Sequence, residues 1–137
     1  MAMSAIRLRM GVLAVATLLT PISLAAHHAF SAEFNADKPI TLTGTLTKVE
    51  WTNPHSHLHV DVSEADGTVT TWNFELGSPN ALMRRGWRRT TLKIGEKITV
   101  NGYMSKDGSH LANARAVTGN DGRTVFAGSS IDNEPQK

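Results

Sequence analysis

Ile40-Thr41-Leu42-Thr43-Gly44-Thr45-Leu46-Thr47-Lys48-Val49-Glu50-Trp51 alternates apolar and polar side chains, the period of a strand with one buried face. The parity switches part-way. Ile40, Leu42 and Leu46 share one face, whereas Val49 and Trp51 share the other. A parity switch inside one strand predicts a β-bulge or bend near Thr47-Lys48.

Downstream, Leu58, Val60 and Val62 alternate with His57, His59 and Asp61, so a second strand has one apolar face. Ala65-Asp66-Gly67 is a turn, and Trp72, Phe74 and Leu76 form the apolar face of a third strand. Ser78-Pro79 opens a short helix that Gly86 closes, with Leu82 and Met83 placed to cover an end of the core. Ile98, Val100 and Gly102 mark a fourth strand. Asp107-Gly108 turns into a fifth over residues 111–118, and Asn120-Asp121-Gly122 turns into a short strand at 124–126. This order predicts a mostly β chain: a small OB-like, closed or partly open antiparallel β-barrel with one short helix between strands three and four. An open β-sandwich is the alternative.

Upstream, Arg7 and Arg9 precede a charge-free, mainly apolar run from Gly11 to Leu24, followed by small residues at Ala25 and Ala26. That is the order of a cleavable secretory signal, and the run is short of the ~20 residues of a spanning helix. The expected organisation is a signal peptide over 1–26, a β-domain over 27–130 with an extended arm at 27–38, and a loose tail at 131–137. Cleavage near Ala25 or Ala26 places the mature protein in the periplasm or outside the cell, with no transmembrane segment left. Whole-chain Lys plus Arg is 14 and Asp plus Glu is 12, and the signal removes two arginines, so the mature domain is charge-balanced. Nucleic acid is therefore not an expected partner. Cysteine is absent, which excludes disulfides and thiolate chemistry.

Ile40 to Leu46, Lys48-Val49-Glu50-Trp51-Thr52-Asn53-Pro54-His55, Phe74-Glu75-Leu76-Gly77-Ser78-Pro79-Asn80 and Arg84-Arg85-Gly86-Trp87 together resemble the DUF6152 group of short exported bacterial proteins. The His27-His28-Ala29-Phe30 start is similar to that group as well. The resemblance spans roughly residues 27 to 130 and implies a periplasmic or secreted β-domain. It carries no activity, and His57 and His59 depart from its usual pattern.

Three constellations could carry chemistry. The first is the new N-terminus. With Ala26 first, the amine, two deprotonated amides and the His28 imidazole make a square-planar nitrogen set suited to Cu(II). With His27 first, its amine and ring chelate copper, and a second imidazole from the fold is needed for a histidine brace. The second is the histidine strand. His55, His57 and His59 fall on one face, and a pairing sum of 134 places Val60 opposite Phe74 and His59 opposite Glu75. His57, His59 and Glu75 would then offer Zn(II) a nitrogen-and-carboxylate site. Trp51, Asn53 and His55 stand beside it, with Asn53 and His55 suited to bonding loop backbone. The third is Arg84-Arg85-Gly86-Trp87-Arg88-Arg89, where guanidinium groups around Trp87 could meet a protein, a glycan, a small anionic ligand or an envelope surface. No Gly-x-Ser-x-Gly elbow, Walker loop or His-Glu-x-x-His occurs, so the chain reads as a binding module more readily than as an enzyme.

Overall fold

The computed structural model describes residues 30–129. The signal segment, His27, His28 and the tail at 131–137 lie outside the described residues. The elements are β1 (Phe34–Glu50), β2 (His57–Ser63), β3 (Val69–Glu75), α1 (Pro79–Arg84), β4 (Lys97–Ser105), β5 (Leu111–Thr118) and β6 (Thr124–Phe126). All six strands lie in one sheet, ordered β3-β2-β1-β4-β5-β6, rather than in the two sheets of a sandwich. Neighbours in that order pair antiparallel. β3 and β5 also pair in parallel, through Asn73↔Leu111, Phe74↔Ala112 and Glu75↔Asn113. The hydrogen bonds thus run round a ring, β1-β2-β3-β5-β4.

β1 is long enough to pair with β2 on one side and β4 on the other because it bends. The pairing shifts between Leu46 and Lys48, leaving Thr47 as the extra residue, as the parity switch predicts. Two glycines let the backbones close up. A Cβ on Gly44 would stand 2.3 Å from the Asp61 carbonyl oxygen, and one on Gly102 would stand 2.0 Å from that of Asn113. Gly102 also sits at the register shift between β4 and β5.

Inside the ring lie Leu46, Leu58, Val60, Phe74, Ile98, Val100, Ala112, Ala114 and Val117, all buried. Each large side chain among them contributes about 1.5–3 kcal/mol by leaving water. Helix α1 covers one end. Ser78 caps it by accepting from the Ala81 amide at 3.3 Å, Pro79 occupies its first turn, and Gly86, at φ +92, follows the C-cap. Leu82 is fully buried beneath it. Met83 is not: it is 43% exposed, because only one side of a single six-residue helix meets the core.

The expected extended arm is shorter than the sequence suggests. Residues 30–33 are helical and β1 begins at Phe34. Phe30 packs on Phe34 and meets Tyr103 edge-on, at ring separations of 5.6 and 5.8 Å. The pairing shift between Phe34 and Pro39 hides this segment's strand period from a sequence reading.

Gly102→Ala is expected to destabilise the protein by about 1–3 kcal/mol, the usual range for overpacking. A lower urea midpoint with unchanged slope is the expected readout, and an unchanged midpoint would mean that β4 and β5 do not approach as described.

Candidate functional site

The β2–β3 register sums to 132, with His57↔Glu75, Leu58↔Phe74, His59↔Asn73 and Val60↔Trp72. The expected sum of 134, with His59 opposite Glu75, is two too large. The turn explains the difference. The Glu64 amide donates to the Thr68 carbonyl at 2.8 Å and the Gly67 amide to the Glu64 carbonyl at 3.0 Å. Gly67, at φ +86, is therefore the last residue of a three-residue loop and not its centre.

This register scatters the proposed zinc ligands. His57 Nδ1 lies 2.9 Å from Asn73 Oδ1. His59 Nε2 lies 3.5 Å from Glu50 Oε1, in ion-pair reach but outside hydrogen-bonding geometry. Glu50 is also bonded by Lys48, which is the main reason its carboxyl is held below the usual range. Among the described residues no three His, Cys, Asp or Glu side chains form a group that could hold a metal ion.

Glu75 turns instead to His55. The His55 Nδ1 to Glu75 Oε1 distance is 3.3 Å, and the Glu75 side chain is only 13% exposed. Asn113 Nδ2 donates to the same oxygen at 3.4 Å, and the Ser129 hydroxyl donates to Asn113 Oδ1. Pro54, His55, Glu75, Ser78, Asn113 and Ser129 border a cleft of about 240 Å³. The loop after β1 supplies its first two residues, with the Asn53–Pro54 bond cis. Thr52 steadies that loop by donating to the His55 carbonyl at 3.1 Å, and Asn53 is exposed at its tip. Burial raises the Glu75 carboxyl; nearby His55 opposes that shift and nearby Glu33 adds to it.

The arginine segment has a different construction. Trp87 is only 2% exposed, and its indole N–H donates to the Phe126 carbonyl at 2.9 Å. It is an anchor, so its ring is not available to stack with a partner. Arg84, Arg85, Arg88 and Arg89 around it are exposed. Arg88 donates to the Trp87 carbonyl at 2.8 Å, and no carboxylate among the described residues pairs with any of the four. Trp51, half-buried, lines a narrow apolar crevice with Trp87, Arg88 and Arg89.

A family model matches residues 15–114. The chain belongs to DUF6152, a family of unknown function. The match covers both the Pro54–His55 loop and the arginine segment of this DUF6152 chain. No curated protein matches it.

A sequence reading of this DUF6152 domain brings out His55 and Glu75 separately and misses their pairing, since His55 lies in a loop and a register centred on Gly67 is two residues out. Asn113 and Ser129 escape such a reading as well. Asn113 leaves one trace: an amide between two small apolar residues, Ala112 and Ala114, where a buried polar group needs a partner.

A carboxyl whose folded pKa is raised stabilises fully below its unfolded value, and that contribution is lost as pH rises through the folded value. Glu75→Gln removes the buried charge while keeping the planar shape of the carboxyl group. Its melting temperature should exceed that of the wild type near neutral pH, and the two should converge as pH falls below the ordinary carboxylate range. A gap that stays constant with pH would show that ionisation of Glu75 carries no cost.

Proposed function

We propose that this DUF6152 protein is an exported, periplasmic, non-enzymatic binding module on an OB-like barrel, and that it meets an anionic partner through Arg84, Arg85, Arg88 and Arg89. The ring order β1-β2-β3-β5-β4, with a helix between β3 and β4, supports the OB-like reading. One observation carries the functional reading. Four exposed guanidinium groups without carboxylate partners among the described residues flank a tryptophan that is buried and hydrogen-bonded. A solvated surface loop needs no such anchor. A loop that presents charge to a partner benefits from one, because less conformational freedom is lost on binding. Guanidinium groups suit carboxylate, sulfate or phosphate oxygens through paired N–H donors.

Retention of the exported protein on immobilised heparin, used as a polyanion probe, tests this. Replacing all four arginines by glutamine should weaken binding by about 1–4 kcal/mol in total, taking each exposed pair at its usual worth. It should also lower the eluting salt concentration and leave the melting temperature nearly unchanged. Equal retention of variant and wild type would dismiss the loop as the binding surface.

A metal reading is favoured by a separate observation. A tetrahedral ion with bonds of about 2.0–2.1 Å holds its ligand atoms about 3.3 Å apart, the separation of His55 Nδ1 and Glu75 Oε1. Glu33, three residues into the described chain, adds to the upward shift that burial gives the Glu75 carboxyl. In this reading His55 is the imidazole that the fold lends to His27 and His28, completing a Zn(II) site. Titration with Zn(II) should then show one equivalent, lost in His55→Ala and equally in a His27/His28 double variant. Affinity unchanged by His55→Ala would leave the fold out of any metal site.

A further inference from the structure

Between Leu76 and Gly95 the chain carries Arg84, Arg85, Arg88, Arg89 and Lys93 and no acidic residue. Apolar side chains accompany these cations. The exposed large hydrophobics among the described residues are Val69, Met83, Ile94 and Phe126. Three of these four belong to this segment or adjoin it. Met83 precedes Arg84, Ile94 follows Lys93 and is 61% exposed, and the Phe126 carbonyl holds the Trp87 indole. Val69 alone stands elsewhere, at the β2–β3 turn.

The segment is held in shape from below. The Trp87 amide donates to the Leu82 carbonyl at 3.1 Å, the Thr91 amide to Arg88 at 2.9 Å and the Gly95 amide to Leu46 at 2.7 Å. Leu82, Trp87 and Leu92 are sunk in the core. The exposed Met83 and Ile94 are therefore not awaiting a place in the core, which other residues of the same segment already fill.

We infer that the segment from Met83 to Ile94 docks on an anionic phospholipid bilayer, with its arginines and Lys93 at the level of the lipid phosphates and Met83 and Ile94 entering the acyl boundary. The inference rests on the anion-binding reading above and adds the partner. Cations alone would serve an acidic protein or a sulfated glycan as well. Cations with exposed apolar side chains among them match an interface that is charged at its surface and apolar a few ångströms below. Arginine suits such a place, because its stem can lie in the apolar layer while its head stays at the phosphates. Electrostatic attraction and apolar insertion should then act together, and each should be removable without the other.

The test is co-sedimentation of the exported protein with phosphatidylcholine vesicles that contain or lack phosphatidylglycerol, alongside heparin retention. Binding is expected only with phosphatidylglycerol and should weaken with salt. Met83→Ser with Ile94→Ser should lower vesicle partitioning by about tenfold and leave heparin retention unchanged, while Val69→Ser changes neither. The four-arginine glutamine variant should lose both. Heparin retention without vesicle binding would overturn the lipid partner and leave the arginine reading intact, as would vesicle binding insensitive to Met83 and Ile94. Vesicle and heparin binding both indifferent to the arginines would overturn both proposals.

Discussion

Three rungs of parallel pairing between β3 and β5 hold the rest of the structure in place. Without them the six strands form an open antiparallel sheet with two free edges. With them β3, which ends that order, is joined to β5, and the sheet can enclose a core. A further bond reinforces the seam, from the Asn73 amide to the His110 carbonyl at 2.9 Å. The turn before β5 is itself stapled: the Asp107 carboxylate accepts from the Ser109 amide and the Ser105 hydroxyl, and its pKa is held at about 2 by the Ser109 side chain first, then by that amide and the Ser105 hydroxyl. The seam is thus presented to β3 by a turn whose carboxylate is held well below the ordinary range.

The same seam builds the cleft. Its last rung pairs Glu75 with Asn113, so closing the ring brings a carboxyl and an amide side by side. The loop after β1 then brings His55 to the carboxyl, and Ser129 reaches Asn113 from beyond β6. A carboxyl placed at such a junction loses water on several sides at once, which is why burial is the largest influence on it. Architecture and electrostatics have one cause here.

Much of this was legible from residue order alone. The β1 bulge announced itself because an apolar parity cannot switch without an extra residue, and α1 did so because Ser78, Pro79 and Gly86 each suit one position of a short helix. The β2–β3 register was not legible. Gly67 signals a turn, but whether it is the centre or the last residue of the loop depends on backbone bonds that composition does not specify. That one ambiguity moved Glu75 from His57 to His59. Trp87 misled in another way. An indole between two pairs of arginines looks like a surface residue, and only the fold reveals a carbonyl waiting for it beneath the loop.

That anchoring separates two jobs within a few residues. Gly86 and Trp87 determine where the loop goes, while the neighbouring arginines determine what it displays. The indole bond and the core packing of Trp87 use none of the four arginine side chains, although Arg88 also bonds the Trp87 carbonyl. Chains built on this plan could therefore exchange one set of displayed side chains for another in single steps, each remaining folded on the way. The α1–β4 connection is thus a natural place for binding preference to drift, and for a designer to graft a different recognition surface onto an unchanged frame.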